Sequence, residues 1–190
     1  GAYERFRAYY NKTKQPIDLY VLMCFSFNYQ FRFNTAHDYN NPFGKSRSSF
    51  NDVMRANLMK LKGIIETVRY TSCDFREFDY SLMKAGDFLY ADPPYLLTCG
   101  SYNDGKRGFK GWGEQDEKDL YDILDMLSGK GIRFALSNVS HHKGERNDIL
   151  LNWKKARKYH MHKINFNYNN CNYQTKNSEN VTQEILITNY

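Results

Sequence analysis

The sequence lacks the features that mark membrane, secreted and zinc-binding proteins. No stretch approaches the roughly 20 consecutive apolar residues that a membrane-spanning helix needs, and the start at Gly1 resembles neither a signal peptide nor an initiator methionine. The 4 cysteines lie far apart and form no C-x-x-C pair, which argues against a zinc site and against a disulfide framework. We therefore expect reduced thiols, a cytoplasmic setting and no bound metal.

Proline is scarce as well, with 4 in 190 residues, and there is no internal repeat and no glycine-serine linker. Hydrophobic residues make up 41% and aromatic residues 16% of the chain, which is typical of a globular protein. This length suits one domain, or a domain with a small appendage, that buries its own core.

Positive charge is concentrated near the start of the chain. Residues 1–62 contain 10 basic and 4 acidic side chains, whereas residues 63–190 contain 17 of each. Such a positive excess is typical of a surface that binds a polyanion, and nucleic acid is the commonest polyanion. The alternative interpretation is a solvated basic face without a partner.

Hydrophobic periodicity predicts an alternation of strands and helices. Helices are predicted over Tyr3–Lys14, Pro16–Phe27, Asn51–Ile65, Arg76–Lys84, Glu114–Ser128 and Asp148–Lys155. Strands are predicted over Phe27–Asn34, Thr67–Thr71, Asp87–Ala91, Ile132–Ser137, Tyr159–Phe166 and Val181–Thr188, with long loops over Leu96–Gly113 and Asn165–Asn180. This order predicts an α/β protein with part of a doubly wound sheet.

The motif Asp92-Pro93-Pro94-Tyr95 follows directly after a predicted strand, at the position where open α/β sheets bind ligands. An exocyclic amine of a nucleic-acid base is a poor nucleophile because its lone pair is delocalised into the ring. The Asp92 carboxylate and the Pro93 carbonyl can accept both amino hydrogens, and the two prolines keep the turn rigid. Tyr95 offers a flat face for an extruded base. The alternative is a rigid turn without chemistry.

The segment FLYADPPY resembles the catalytic motif of amino-methylating DNA methyltransferases. Further similar segments, in the same order along the chain, are FNYQFRFN at 27–34, YNNPFG at 39–44, GDFLYADPPY at 86–95, GWGEQDEKDL at 111–120, FALSN at 134–138 and VTQEILITNY at 181–190. Together they resemble the Dam and EcoRV-type adenine-N6 methyltransferases, the D12 class, over nearly the entire chain.

This resemblance implies a partial Rossmann-like sheet of an S-adenosylmethionine-dependent methyltransferase, with a small, mainly helical DNA-recognition region plus a hairpin. Residues 1–62 would form the target-recognition region, and residues 63–190 the C-terminal part of the catalytic domain. The implied reaction transfers a methyl group to a flipped adenine in double-stranded DNA, in a prokaryotic or phage-encoded cytoplasmic enzyme. Asp92 and Pro93 would bind the amino group, Pro94 would add rigidity, Tyr95 would stack, and Asp92 would also contact the cofactor.

The resemblance also implies that the segment 27–34 and the loop after it enter the DNA. Arg32 falls where family members read a guanine, which suits its two-pronged donor geometry, although a plain surface arginine is the alternative. The other candidates for DNA contact are Asn28, Tyr29, Gln30, Lys45, Arg47 and Trp112. Of these, Lys45 and Arg47 fit phosphate contacts, whereas Trp112 either closes over the base or backbone or is a buried residue that leads into a helix.

One family feature has no match in this sequence: the F-x-G-x-G turn with a following acidic residue that binds S-adenosylmethionine. We therefore expect an N-terminal segment to be missing by truncation or proteolysis, to lie on another subunit, or to be lost in a degenerate relative. The chain alone should then be weakly active or inactive. Two rival functions are a non-catalytic DNA-binding or split-enzyme subunit, and a cytosine-N4 methyltransferase.

Overall fold

A computed structural model describes residues 1–98, 111–164 and 182–190. Its internal contacts divide the described residues into two units, Gly1–Ser72 and the part that begins at Cys73. The predicted division at residue 62 concerns function and stays a prediction. Most of the predicted loop 96–113 and the predicted loop 165–180 lie outside the described residues. Among the helices that the structure describes, none has the length and apolar character to cross a bilayer.

The first unit contains three helices: α1 spans Ala2–Thr13, α2 spans Pro16–Phe25 and α3 spans Asp52–Ile65. Pro16 stands in the first turn of α2, where its missing N–H leaves no helical hydrogen bond unmade. The Asn51 side chain accepts a hydrogen bond from the Met54 N–H at 2.9 Å and thereby caps α3. The small core of this unit consists of Tyr10, Leu22, Phe33 and Tyr39, with Tyr3, Phe6 and Leu19 packed against it.

The predicted strand over Phe27–Asn34 is wrong. Residues 27–29 form one turn of 3-10 helix, and Asn28 and Tyr29 both have a left-handed φ of 54°, which is incompatible with a strand. The chain then reverses through two isolated antiparallel bridges, Phe33 with Tyr39 and Ser26 with Phe43. The expected hairpin is therefore an irregular loop that is closed by these two bridges.

The second unit is built on a five-stranded sheet. Its strands are β1 at Phe88–Ala91, β2 at Arg133–His142, β3 at Glu145–Arg146, β4 at His160–Lys163 and β5 at Gln183–Thr188. The order is β1-β2-β5-β4, with β3 paired to the end of β2. Strands β1 and β2 are parallel, and β5 is antiparallel to both β2 and β4. The mixed sheet agrees with the predicted α/β class.

Two helices, α4 at Glu114–Gly129 and α5 at Asp148–Arg157, pack against this sheet. The buried cluster between helices and sheet consists of Leu120, Tyr121, Leu124, Phe134, Leu136, Leu150, Ile185 and Ile187. The ring of Trp153 stacks on Tyr121 with 4.2 Å between ring centroids. Both helices match their predicted positions, because apolar residues at helical spacing face the buried strands.

The segment before β1 differs from its prediction. Residues 67–71 form no strand, and within 76–84 only Tyr80–Leu82 is helical, as a 3-10 turn. The Arg76 guanidinium instead lies 2.5 Å from the Asp116 carboxylate and 2.6 Å from that of Asp119. These ion pairs connect the segment to the first turns of α4. Tertiary contacts of this kind replace the regular structure that local sequence favours.

Candidate functional site

Strand β1 positions Asp92 at the edge of the sheet. Ala91 is the last residue of β1 and pairs with Leu136 of β2, so Asp92 follows at the level of Ser137. The Asp92 side chain is exposed. Because β1 is a short edge strand that ends in two prolines, the chain leaves the sheet at once and presents the carboxylate at the carboxyl end of the parallel pair.

The hydroxyl of Tyr95 lies between two polar side chains. It is 2.9 Å from Asp92 Oδ1 and 2.9 Å from Ser137 Oγ. Since the carboxylate can only accept, the tyrosine donates to Asp92 and accepts from the serine hydroxyl. Burial raises the pKa of Tyr95, so the phenol keeps its proton at neutral pH. This bond occupies one carboxylate oxygen of Asp92 and orients the group.

A cavity of about 290 Å³ lies beside the motif. Asp92, Pro93 and Pro94 form one side of it. Aromatic side chains of Phe75, Tyr80 and Trp112 form much of the remainder. Flat aromatic walls next to a carboxylate suit a planar heterocyclic ring that carries hydrogen-bond donors.

Trp112 is half-buried and faces this cavity. Its ring is tilted by 45° against Phe75, with 5.6 Å between centroids. Its indole N–H donates to Glu117 Oε1 at 3.4 Å. The residue precedes the first turn of α4, and its predicted contact with DNA stays a prediction.

Glu117 is a fully buried carboxyl group behind the motif. The Asn138 amide donates to its Oε1 at 3.1 Å, and the Asn147 amide donates to its Oε2 at 3.4 Å. The Tyr121 hydroxyl binds the same carboxyl group, and the backbone of Leu96 lies near it. Burial raises the pKa of Glu117, whereas Asn138, Asn147, Trp112 and the Leu96 backbone act in the opposite direction.

The other predicted DNA-binding residues lie in the first unit, on the loop between α2 and α3. Asn28, Tyr29, Gln30 and Arg32 are exposed, and Lys45 and Arg47 are exposed further along the same loop. The Arg47 guanidinium lies 5.5 Å from the centre of the Phe27 ring. This brings Arg47 next to the turn that carries Asn28 and Tyr29.

Side-chain donors fix this turn by binding its main-chain carbonyl groups. The carbonyl of Gln30 accepts hydrogen bonds from Ser26 Oγ at 3.3 Å, from the Tyr39 hydroxyl at 3.1 Å and from Asn41 Nδ2 at 2.9 Å. Asn41 Nδ2 also donates to the Phe27 carbonyl at 3.1 Å. Because the donors bind main-chain oxygens, the side chains of residues 28–30 are free to face solvent.

Several residues of these two sites escaped prediction. Asn41 and Asn138 belong to the family-like segments YNNPFG and FALSN. The sequence identifies these segments, but it does not show that the two amide groups are buried. Glu117 lies in an acidic first helical turn, where glutamate usually serves the helix dipole on the surface. Only tertiary structure separates it from its exposed neighbours. Among residues 1–98, 111–164 and 182–190, no group of three metal-ligating side chains is found.

Similar proteins identify the family. The chain is 49% identical over 190 residues to the Type II methyltransferase M.FokI of Planomicrobium okeanokoites, and 48% identical over 191 residues to the modification methylase StsI of Streptococcus sanguinis. It is 35% identical over 195 residues to the modification methylase LlaI of Lactococcus lactis subsp. lactis. These alignments cover 99% or 100% of this chain, but the chain spans only 29% of the length of each relative.

The family model for the D12 class N6 adenine-specific DNA methyltransferases matches residues 3–170. This match includes the motif at Asp92, the cavity beside it and the loop that carries Arg32. The family inferred from the sequence motifs is thereby confirmed. The chain belongs to the D12 class N6 adenine-specific DNA methyltransferase family.

Proposed function

We propose that this chain carries the amino-group site and a DNA-contact loop of an adenine-N6 DNA methyltransferase. The observation that carries the proposal is the exposed Asp92 at the end of β1, beside a cavity with aromatic walls. Three bacterial relatives are named methyltransferases or modification methylases. We propose the same setting here, a cytoplasmic modification enzyme that acts on double-stranded DNA.

In this proposal Asp92 and Pro93 act on the adenine amino group. The Asp92 carboxylate accepts one amino hydrogen and the Pro93 carbonyl accepts the other, which draws the nitrogen out of conjugation with the ring. The lone pair then becomes available for methylation, and Asp92 takes up the proton that the amine releases. Pro94 restricts the backbone, and Tyr95 holds Asp92 through its hydroxyl while its ring is the proposed stacking surface.

S-adenosylmethionine is the methyl donor in this proposal and supplies an electrophilic methyl group when bound. The chemistry next to the motif fits it, because a carboxylate and aromatic faces suit a ligand that combines positive charge with a purine ring. Asp92 is the residue of this chain that would contact it. The remaining contacts are proposed to come from a further segment of the natural protein or from another subunit.

The first-unit loop is the proposed DNA contact. Arg32 has the donor geometry for a guanine edge, and Lys45 and Arg47 have the charge for phosphates. Asn28, Tyr29 and Gln30 are exposed on one turn, which is fixed by hydrogen bonds to its main chain. Their side chains suit contact with the DNA groove or with the bases around an extruded adenine. Trp112 is proposed to contact the extruded base from the cavity wall.

The experiment that tests this function measures transfer of labelled methyl from S-adenosylmethionine to mixed-sequence duplex DNA. It uses this chain and the full natural protein that contains it, each with Asp92→Ala. We expect Asp92→Ala to lower the rate of methyl transfer roughly 100-fold or more, since it removes an acceptor that acts in the transition state. Asp122→Ala is the matched control, because Asp122 is an exposed aspartate on α4.

Digestion of the methylated DNA to nucleosides identifies the product. N6-methyl-2′-deoxyadenosine supports the proposal, whereas N4-methyl-2′-deoxycytidine supports the cytosine alternative. Duplex binding without methyl transfer in either form of the protein would make the chain a non-catalytic DNA-binding relative. Full activity in Asp92→Ala would remove this residue from the mechanism.

A further inference from the structure

Glu117 differs from every other carboxylate in the described part of the second unit because it has no exposed surface. Burying a carboxyl group is unfavourable unless hydrogen bonds replace its water. Here side-chain donors from three different places reach it: the cavity wall, strand β2 and the residue before α5. These hydrogen bonds connect the carboxyl group to three separate parts of the second unit.

Two of these partners belong to the candidate active site. Leu96 follows Tyr95 directly, and its backbone lies close enough to the Glu117 carboxyl group to lower the pKa of that group. Trp112 lines the cavity beside Asp92 and donates its indole N–H to Glu117 at 3.4 Å. One buried side chain therefore lies beside the residue that follows the catalytic motif and also binds a residue of the cavity lining.

Strand β2 contributes two residues to this hydrogen-bond network. Ser137 binds the Tyr95 hydroxyl at 2.9 Å, and the next residue, Asn138, donates to Glu117 at 3.1 Å. Neighbouring side chains on a strand point to opposite faces of the sheet. Two adjacent residues of one strand therefore bind the Tyr95 hydroxyl and the Glu117 carboxyl group.

We propose that Glu117 is a positioning residue for methyl transfer: its buried carboxyl group fixes the Leu96 backbone and the Trp112 indole, and thereby sets the placement of the Asp92 and Pro93 acceptors. This inference rests on the proposed function of Asp92 and Pro93. Glu117 does not touch the substrate. Its effect comes through the loop, and small errors in the placement of reacting groups have large effects on rate.

The test compares Glu117→Gln with wild-type in the full natural protein. Glutamine keeps the size of the side chain but turns one of the two acceptor positions into a donor, which conflicts with the surrounding amide donors. We expect kcat for DNA methylation to fall roughly 10- to 100-fold while KM for DNA and for S-adenosylmethionine stays within about two-fold. Glu114→Gln is the matched control, because Glu114 is an exposed glutamate in the same helical turn, and its kcat should equal that of wild-type.

A second readout does not depend on activity. Hydrogen exchange at the Leu96 amide should be slow in wild-type and in Glu114→Gln, and at least several-fold faster in Glu117→Gln. Unprotected Leu96 in wild-type would overturn the proposal even if the variant failed to fold. An unchanged kcat in folded Glu117→Gln, with Asp92→Ala inactive, would overturn it as well.

The two readouts separate this proposal from the function on which it rests. A wild-type protein that methylates no DNA contradicts the proposed function, whereas the exchange experiment still decides whether Glu117 holds the loop. Loss of kcat together with faster exchange at Leu96 supports the proposal.

Discussion

The two units hold their exposed loops in contrasting ways. In the first unit, three neutral side chains, from Ser26, Tyr39 and Asn41, converge on one backbone oxygen at Gln30. In the second unit, donors converge on a side-chain carboxyl group, that of Glu117. The first arrangement contains no carboxyl group, and the second contains a buried acid.

This difference shows what each loop requires of its sequence. A turn that is held through a carbonyl places no demand on the side chain that carries this carbonyl, because every residue has one. A loop that is held through a carboxyl group needs that particular side chain at that position. The side chain of Gln30 in the proposed recognition loop is therefore free to change, whereas the proposed catalytic loop needs Glu117.

Among the substitutions that test this contrast, Asn41→Ala is expected to cause the largest loss of stability. The substitution removes the buried Asn41 amide, which donates to the carbonyl of the half-buried Phe27 and is one of the three donors to the Gln30 carbonyl. We expect the free energy of unfolding of the first unit to fall by about 3 kcal/mol, with weaker binding of duplex DNA. Chemical denaturation and a DNA-binding titration measure both effects.

Asn40→Ala is the control for this substitution, since Asn40 is exposed and its backbone N–H, which the variant keeps, makes the bond to the Arg32 carbonyl. Equal stability of the two variants would show that the amide of Asn41 does not hold the turn.

A smaller effect is expected from Gly44→Ala. A Cβ at Gly44 would lie 2.6 Å from the Ser26 carbonyl oxygen and 2.8 Å from Ser48 Cβ. The backbone must shift to relieve these contacts, at a cost of about 2 kcal/mol. In contrast, Gly63→Ala in α3 meets no atom within 4 Å and should stabilise the helix by roughly 0.5–1 kcal/mol. Thermal unfolding of both variants tests this pair, and a neutral Gly44→Ala would contradict the close packing at the base of the loop.

The smallest expected effect is a pH dependence of stability. It distinguishes the hydrogen bonds around Glu117, which contain an acid, from those around the Gln30 carbonyl, which contain no carboxyl group. Because burial raises the pKa of Glu117 in the folded protein, the unfolded chain loses this proton first as pH rises. The folded state then binds more protons, so the contribution of Glu117 to stability falls with rising pH. This fall begins near the ordinary glutamate value of 4.5 and ends at the raised folded pKa.

Denaturation of wild-type and Glu117→Gln at a series of pH values measures this contribution. The stability of the variant relative to wild-type should improve as pH rises through that window. The effect of Asn41→Ala should stay constant over the same range, since no acid is involved. A constant difference between wild-type and Glu117→Gln would show that Glu117 ionises alike in the folded and unfolded states.

Much of the second unit could be predicted from the sequence. Helix α4 has clear apolar periodicity and buries the predicted face. Strands β1 and β2 are predicted as short apolar runs; β2 is buried on both faces, whereas Phe88 and Tyr90 of β1 are exposed. The placement of Asp92 at a strand end also followed from local sequence, because a short apolar run leads directly into two prolines. These signals are local, and tertiary contacts reinforce them.

The first unit was harder to predict for a physical reason. The alternation of aromatic and polar residues over 27–34 is typical of a strand, yet Phe31 is 55% exposed and Phe33 is buried. The conformation is fixed by hydrogen bonds from Tyr39 and Asn41, which come later in the chain. Neither the left-handed residues Asn28 and Tyr29 nor the buried state of Glu117 has a local signal, because both depend on distant partners.

The three donors on the Gln30 carbonyl have a consequence for how the proposed DNA specificity can change. Because these donors bind the main chain, the side chains at 28–30 can be exchanged without loss of the hydrogen bonds, although the left-handed backbone at Asn28 and Tyr29 favours residues such as asparagine and glycine there. Under the proposed DNA contact, these positions are the first choice for a randomised library, with Gln30 open to the widest range of residues.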